Sequence, residues 1–214
     1  MARRTKEGAE ATRNKLLDAA AEVFFAKGVA GASLSDVAQA ADLTRGAIYW
    51  HFKDKVDLFE ALMQRTTLPF EQAWEAGQAK FMQDGAVLPE ILSVLRMVFC
   101  SVSTDAPTRR VFDVALYKVE CVGELQAVRE RRIAGALRFA QQMEQALLLA
   151  ARQEGVRMPV SGQSAARGLQ AVFDGVLHFW LLQDGQSFDL EVEGMLAVAL
   201  YLKGLGLDAQ KEIA

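Results

Sequence analysis

Three features of the 214-residue sequence predict an all-α fold of about nine helices. Only four prolines occur (Pro69, Pro89, Pro107 and Pro159), and the stretches between them are rich in Ala, Leu, Glu, Gln and Arg, the strong helix formers. Apolar residues recur at i, i+3 and i+4 through most of those stretches. No alternating pattern of useful length marks a strand. With 51% hydrophobic residues, the chain can bury a substantial core.

The first helix is marked by Leu16, Leu17, Ala20, Val23 and Phe24, and Gly28 falls just past its end, where a left-handed residue is expected. Ser33 suits the N-cap of a short helix over 34–40 that turns Leu34, Val37 and Ala38 inward. A tight break at 41–43 follows, and Thr44 caps a second short helix over 45–51. Asp54 then opens a long helix, 54–80, whose stripe is Val56, Phe59, Leu62, Met63 and Phe70. Two short helices joined by a brief turn, between two longer ones, make a helix-turn-helix. No linker interrupts the chain here, so residues 1–55 form a small unit that runs directly into a larger one, 56–214. The larger unit reads as helical throughout: "AVLPEILSVLRMVFCSVS", "PTRRVFDVALYKVE", "GELQAVRERRIAGALRFAQQMEQALLLAARQEG", "SAARGLQAVFDGVLHFWLLQ" and "DLEVEGMLAVALYLKGLG".

The charge balance supports this division. The whole chain carries −3, but residues 1–55 hold nine Lys/Arg against seven Asp/Glu, a local +2, leaving −5 on the remainder. A mildly basic N-terminal part on an acidic body fits a local anion-binding face. No window of 18 uncharged apolar residues suggests a membrane span, and "MARRTKEGAEATR" lacks the apolar core of a secretory signal, so a cytoplasmic location is expected. Cys100 and Cys121 show no metal-binding spacing and read as reduced thiols. His51 and His178 are the only histidines. No nucleophile–His–acid set, phosphate loop, carboxylate pair or metal motif stands out, so neither an enzyme nor a cofactor is expected.

The chemistry is concentrated in "TRGAIYWHFKDK", residues 44–55. In a helix-turn-helix the second helix enters the major groove with its N-terminal residues nearest the base edges. Arg45 can donate two parallel hydrogen bonds to guanine O6 and N7, worth about 1–3 kcal/mol of discrimination. Gly46 and Ala47 are small enough for close approach, and Thr44 can cap the helix, contact phosphate, or both. Tyr49, four residues beyond Arg45, shares its face and can reach a phosphate. His51 and Lys55 are placed to hold the backbone further along. Ile48 and Phe52 point inward. Trp50 is open between buttressing the fold and touching DNA.

Residues 12–59 closely resemble the DNA-binding domain of the TetR family of bacterial repressors, with "TRGAIYWHFKDK" the most specific segment. The opening "MARRTKEGAEATR", together with "YKVECVGELQAVR" and "QSFDL", resembles the AcrR-like multidrug efflux repressor subgroup. The resemblance implies a homodimer that binds double-stranded palindromic operator DNA, represses an efflux operon and is released by a small hydrophobic ligand. The same pattern would also suit a regulator of another pathway, an activator, or an adaptor without a drug ligand. By the motif, DNA contacts map onto Ser33, Ser35, Thr44, Arg45, Gly46, Ala47, Tyr49, Trp50, His51 and Lys55. Arg3, Arg4 and Lys6 would form a flexible arm for phosphate or minor-groove contact, or a disordered tail without a role.

In the larger unit, large apolar residues on amphipathic helices are mostly core. The family analogy makes some of them pocket lining: Leu62, Thr66, Phe70, Phe99, Phe112, Leu116, Phe139, Phe173 and Leu177. Related regulators carry polar groups on the sixth helix where Phe112 and Leu116 stand here, which implies a drier pocket. The helices at about 162–183 and 189–205 are apolar on more than one face and must be buried on both sides. They are expected to pair with a second subunit as a four-helix bundle, through Val172, His178, Leu181, Leu196 and Leu200.

Overall fold

The structure, a computed structural model, describes residues 2–84, 87–119, 126–183, 185 and 188–209. Among them are nine helices: α1 (Ala2–Gly31), α2 (Leu34–Ala40), α3 (Arg45–His51), α4 (Lys55–Asp84), α5 (Val87–Thr104), α6 (Ala106–Tyr117), α7 (Gln126–Gln153), α8 (Gly162–Leu182) and α9 (Leu190–Gly204). Cys121, with the connection around it, lies outside the described residues. Packing divides the chain into Met1–Thr67 with Asp105–Arg131, and Leu68–Thr104 with Arg132–Ala214. That division differs from a boundary at residue 55. The first half of α4 supplies core residues to the small unit, and α6 packs along α1. Pro69, which cannot donate a helical hydrogen bond, lies inside α4 beside the Thr67/Leu68 division.

The first unit is built around Leu16, Leu17 and Phe24 of α1, Val37 of α2, Ile48 of α3 and Leu58, Phe59 and Leu62 of α4, all at most 1% exposed. Phe24 and Phe59 meet at 6.1 Å with tilted rings. Val111 and Val114 of α6 complete the cluster. α1 is kinked at Gly28, whose φ of 71° is the left-handed conformation that glycine adopts without strain. The kink lets the Val29 N–H donate to the Lys118 carbonyl at 2.9 Å, fastening the end of α1 to that of α6. Arg110 reaches Glu22 at 3.5 Å along the same seam. Arg3, Arg4 and Lys6, expected on a flexible arm, lie instead on the helical backbone of α1.

In the second unit α5 is the core helix. Its Val87–Thr104 span, mean hydropathy 1.5, is apolar and long enough to cross a membrane by composition and length alone. It carries Glu90 and Arg96, and half of it is buried inside the fold. α9 crosses α5 at Gly194, where an added Cβ would stand 2.6 Å from the Phe99 ring. α8 and α9 lie against each other, and Tyr201 donates its hydroxyl to the Ala165 carbonyl at 2.9 Å.

Candidate DNA-reading face

Local capping holds the two short helices in register. Ser33 and Asp36 form a reciprocal capping box at the start of α2. The Lys27 ammonium, 2.6 Å from Asp36, and then the Ser33 hydrogen bonds hold the Asp36 carboxyl down at about 2. The carboxylate's contribution to the cap is present above the ordinary carboxylate range and is lost only as pH falls through that value. The turn closes through the Leu43 N–H to the Ala38 carbonyl at 2.9 Å, with Asp42 left-handed at φ 52°. Thr44 Oγ1 then accepts from the Ala47 N–H at 3.2 Å and starts α3. α4 begins in the same way, its Asp57 N–H donating to Asp54 Oδ1 at 2.9 Å.

With Ile48 and Phe52 buried, the remaining residues of α3 are turned outward. Thr44, Arg45, Gly46, Tyr49 and Trp50 are exposed, and Ala47 is half-buried. The Arg45 guanidinium lies over the Tyr49 ring, 5.5 Å from its centroid, so an aromatic platform four residues away steers the arginine. An added Cβ on Gly46 would meet only Thr44 Oγ1, at 3.9 Å, so this stretch of backbone is open to a close partner. Trp50 is 73% exposed, which settles its orientation: it does not buttress the fold. His51 packs edge-on to Trp50 at 4.6 Å. Burial first, and the Arg13 charge second, push its imidazole below the ordinary value, so it faces the surface as a neutral group at pH 7.

Two other expected contacts are placed differently. The Ser33 hydroxyl is engaged in the capping box, although Ser35 beside it is exposed. Lys55, expected to face outward to phosphate, turns back onto the fold and donates to the Ala30 and Ala32 carbonyls at 2.9 and 3.2 Å. Ala30 lies in the last turn of α1 and Ala32 just past it, and an ammonium with three donors satisfies both carbonyls. Lys53 is the exposed lysine of the pair. Replacing Lys55 with Met is therefore expected to destabilise the protein by about 1–2 kcal/mol. Chemical denaturation measures that loss, and the salt dependence of DNA binding should stay near wild type.

The expected pocket residues separate by burial. Leu62 belongs to the first unit's core, and Phe99 and Leu177 are buried in the second. Thr66, Phe112 and Leu116 of the first unit and Phe70, Phe139 and Phe173 of the second are half-buried. Phe173 stacks on Phe99 at 4.7 Å, and the Thr66 hydroxyl donates to the Leu62 carbonyl. None of these residues lines either of the two described cavities of the second unit.

On α8 and α9, Leu196 and Leu200 are 45% and 57% exposed, His178 is exposed and Val172 half-buried. Leu181, expected on the same outward face, is only 5% exposed and packs inward, one helical position out of phase. Phe179, Leu182 and Val192 occupy the outer face instead. Phe179 and Phe188 stack at 6.3 Å across a groove of about 470 Å³. Spacing alone does not set this phase, because α8 is apolar around much of its circumference.

Comparison with known proteins agrees with this geometry. Residues 16–62 match the model of bacterial regulatory proteins of the tetR family, and residues 87–207 match the C-terminal region of MAATS-type transcriptional repressors. The chain is 34% identical over 203 residues to the HTH-type transcriptional regulator AcrR of Shigella flexneri, spanning 95% of this chain and 93% of that one. Among solved structures, it is similar to NalD, the secondary repressor of the MexAB-OprM multidrug efflux pump in Pseudomonas aeruginosa. The TM-score is 0.78 at 31% identity, covering 92% of this chain and 97% of NalD. It is equally similar to SmeT in complex with triclosan, with TM-score 0.79, 32% identity and 90% of each chain covered. SmeT is the repressor of the Stenotrophomonas maltophilia multidrug efflux pump SmeDEF. A capped α2–α3 pair with an outward arginine and aromatics, on a chain alike over nearly its whole length, has one assignment: the protein belongs to the TetR family of bacterial transcriptional regulators.

Proposed function

We propose that the protein is a cytoplasmic, ligand-responsive repressor of a multidrug efflux operon. It binds a palindromic operator as a homodimer and is released by small hydrophobic compounds. The observation that carries this reading is the outward face of α3, where Arg45 is held over Tyr49 with Gly46 and Trp50 open beside it. Residues 1–55 present the DNA contacts, with Ser35, Thr44, Arg45, Gly46, Ala47, Tyr49, Trp50 and His51 as the reading set. Residues 56–214 sense ligand and dimerise. Similarity to NalD and to SmeT bound to triclosan supports the efflux assignment and the class of ligand.

Dimerisation sets the spacing that the mechanism needs. Two α3 helices must enter successive major grooves about 34–36 Å apart. A ligand that binds a wider-spaced state more tightly shifts the population away from that spacing by its differential affinity. The ligand is proposed to lie in the second unit, among Phe70, Phe99, Phe139, Phe173 and Leu177, and to move α4. The experiment has two stages. Bound sequences are first selected from random DNA; a palindrome is expected. The selected duplex is then followed by fluorescence anisotropy as triclosan is added. Release with saturation supports the sensor reading, whereas unchanged operator affinity across triclosan and a panel of hydrophobic drugs sinks it.

A further inference from the structure

The second unit carries a cleft that no residue of the proposed drug pocket lines. Its volume is about 420 Å³, within the range of small-molecule sites, and it runs between the late parts of α4 and α7. On α7, Gln142, Gln145, Leu149 and Arg152 are spaced by three and four residues and so share one helical face, with Leu148 beside them. Gln78 of α4 stands on the opposite wall.

The lining is chemically divided. Two leucines give an apolar wall, and three primary amides offer both donors and acceptors. Among the described lining residues Arg152 is the one charged group, and none of them is a carboxylate. Among the described residues, Arg152 takes part in no ion pair. It lies in the last turn of α7, where the negative end of the helix favours a cation. Its planar fork of donors matches a carboxylate in two parallel hydrogen bonds.

We infer that this cleft is a second small-molecule site, selective for a carboxylate on a flat apolar body. The carboxylate pairs with Arg152, the body lies on Leu148 and Leu149, and the amides of Gln78, Gln142 and Gln145 hydrogen-bond its polar edge. The site shares no residue with the proposed drug pocket and does not depend on which compounds release the operator.

The test uses isothermal titration of the full-length protein with 2-naphthoate and with 2-naphthamide, which has the same body without the charge. Naphthoate is expected to bind at least about tenfold more tightly than naphthamide, the preference of a charge-assisted pair over a neutral one. Arg152→Gln is expected to bring the two affinities within about twofold of each other, and Arg152→Lys to retain part of the preference because it keeps the charge but not the fork. Gln78→Ala should weaken both ligands by a similar few-fold factor, since it removes the opposite wall and not the charge. Arg152 is exposed and Gln78 half-buried, so these variants should melt at the wild-type temperature. Equal binding of the two ligands, a charge preference that survives in Arg152→Gln, or no naphthoate binding at about 1 mM would each overturn the assignment.

Discussion

Arg45→Ala is expected to produce a large loss of operator affinity together with a loss of discrimination. A bidentate arginine–guanine contact is worth about 1–3 kcal/mol, or roughly 5- to 150-fold, and a dimer makes it once in each half-site. The combined loss on the best operator should therefore approach the square of the single-site factor. The helix should survive the change, because its cap is the Thr44 hydroxyl and its anchor is the buried Ile48. The informative measurement is anisotropy on a panel of operators substituted one base pair at a time. Wild type should show one position per half-site where a change costs most, and the variant should be indifferent there. A uniform loss across the panel would reassign Arg45 to phosphate.

A second large effect is expected from Leu196→Arg combined with Leu200→Arg. Both side chains are about half exposed and four residues apart on α9, so each chain should keep its fold. Two like charges facing their own copies across a two-fold axis would be desolvated without partners, which costs several kcal/mol of association. Analytical ultracentrifugation should show a dimer becoming a monomer while the helical circular dichroism stays constant. Operator affinity should fall at least about 100-fold, toward the value for a single half-site. A dimer with wild-type operator affinity would move the interface elsewhere.

The parts of this molecule that were legible in sequence are those decided locally. Ser33, Thr44 and Asp54 each open a helix because a short oxygen side chain and a following N–H suffice, and no distant residue is involved. Ile48 and Phe52 were inward by spacing alone. What escaped depends on partners far along the chain. Lys55 donates to the carbonyls of Ala30 and Ala32, more than 20 positions earlier, a partnership that no local spacing encodes. The division near residue 67 follows from α6 packing on α1, a contact that no periodicity within α4 encodes. Leu181 failed for a subtler reason. When a helix is apolar around much of its circumference, spacing no longer says which stripe is outward, and neighbouring positions are easily exchanged.

The orientation of Trp50 also has an optical consequence. The chain holds three tryptophans, and Trp74 and Trp180 are 5% and 2% exposed, whereas Trp50 is 73% exposed. Two indoles are thus shielded in the second unit, and one sits in water on the reading helix. Red-edge emission and quenching by iodide should come almost wholly from that one ring. The protein accordingly carries an intrinsic fluorophore on the exposed face of α3 proposed to meet DNA, and occupancy of that face can be followed by light without attaching a dye.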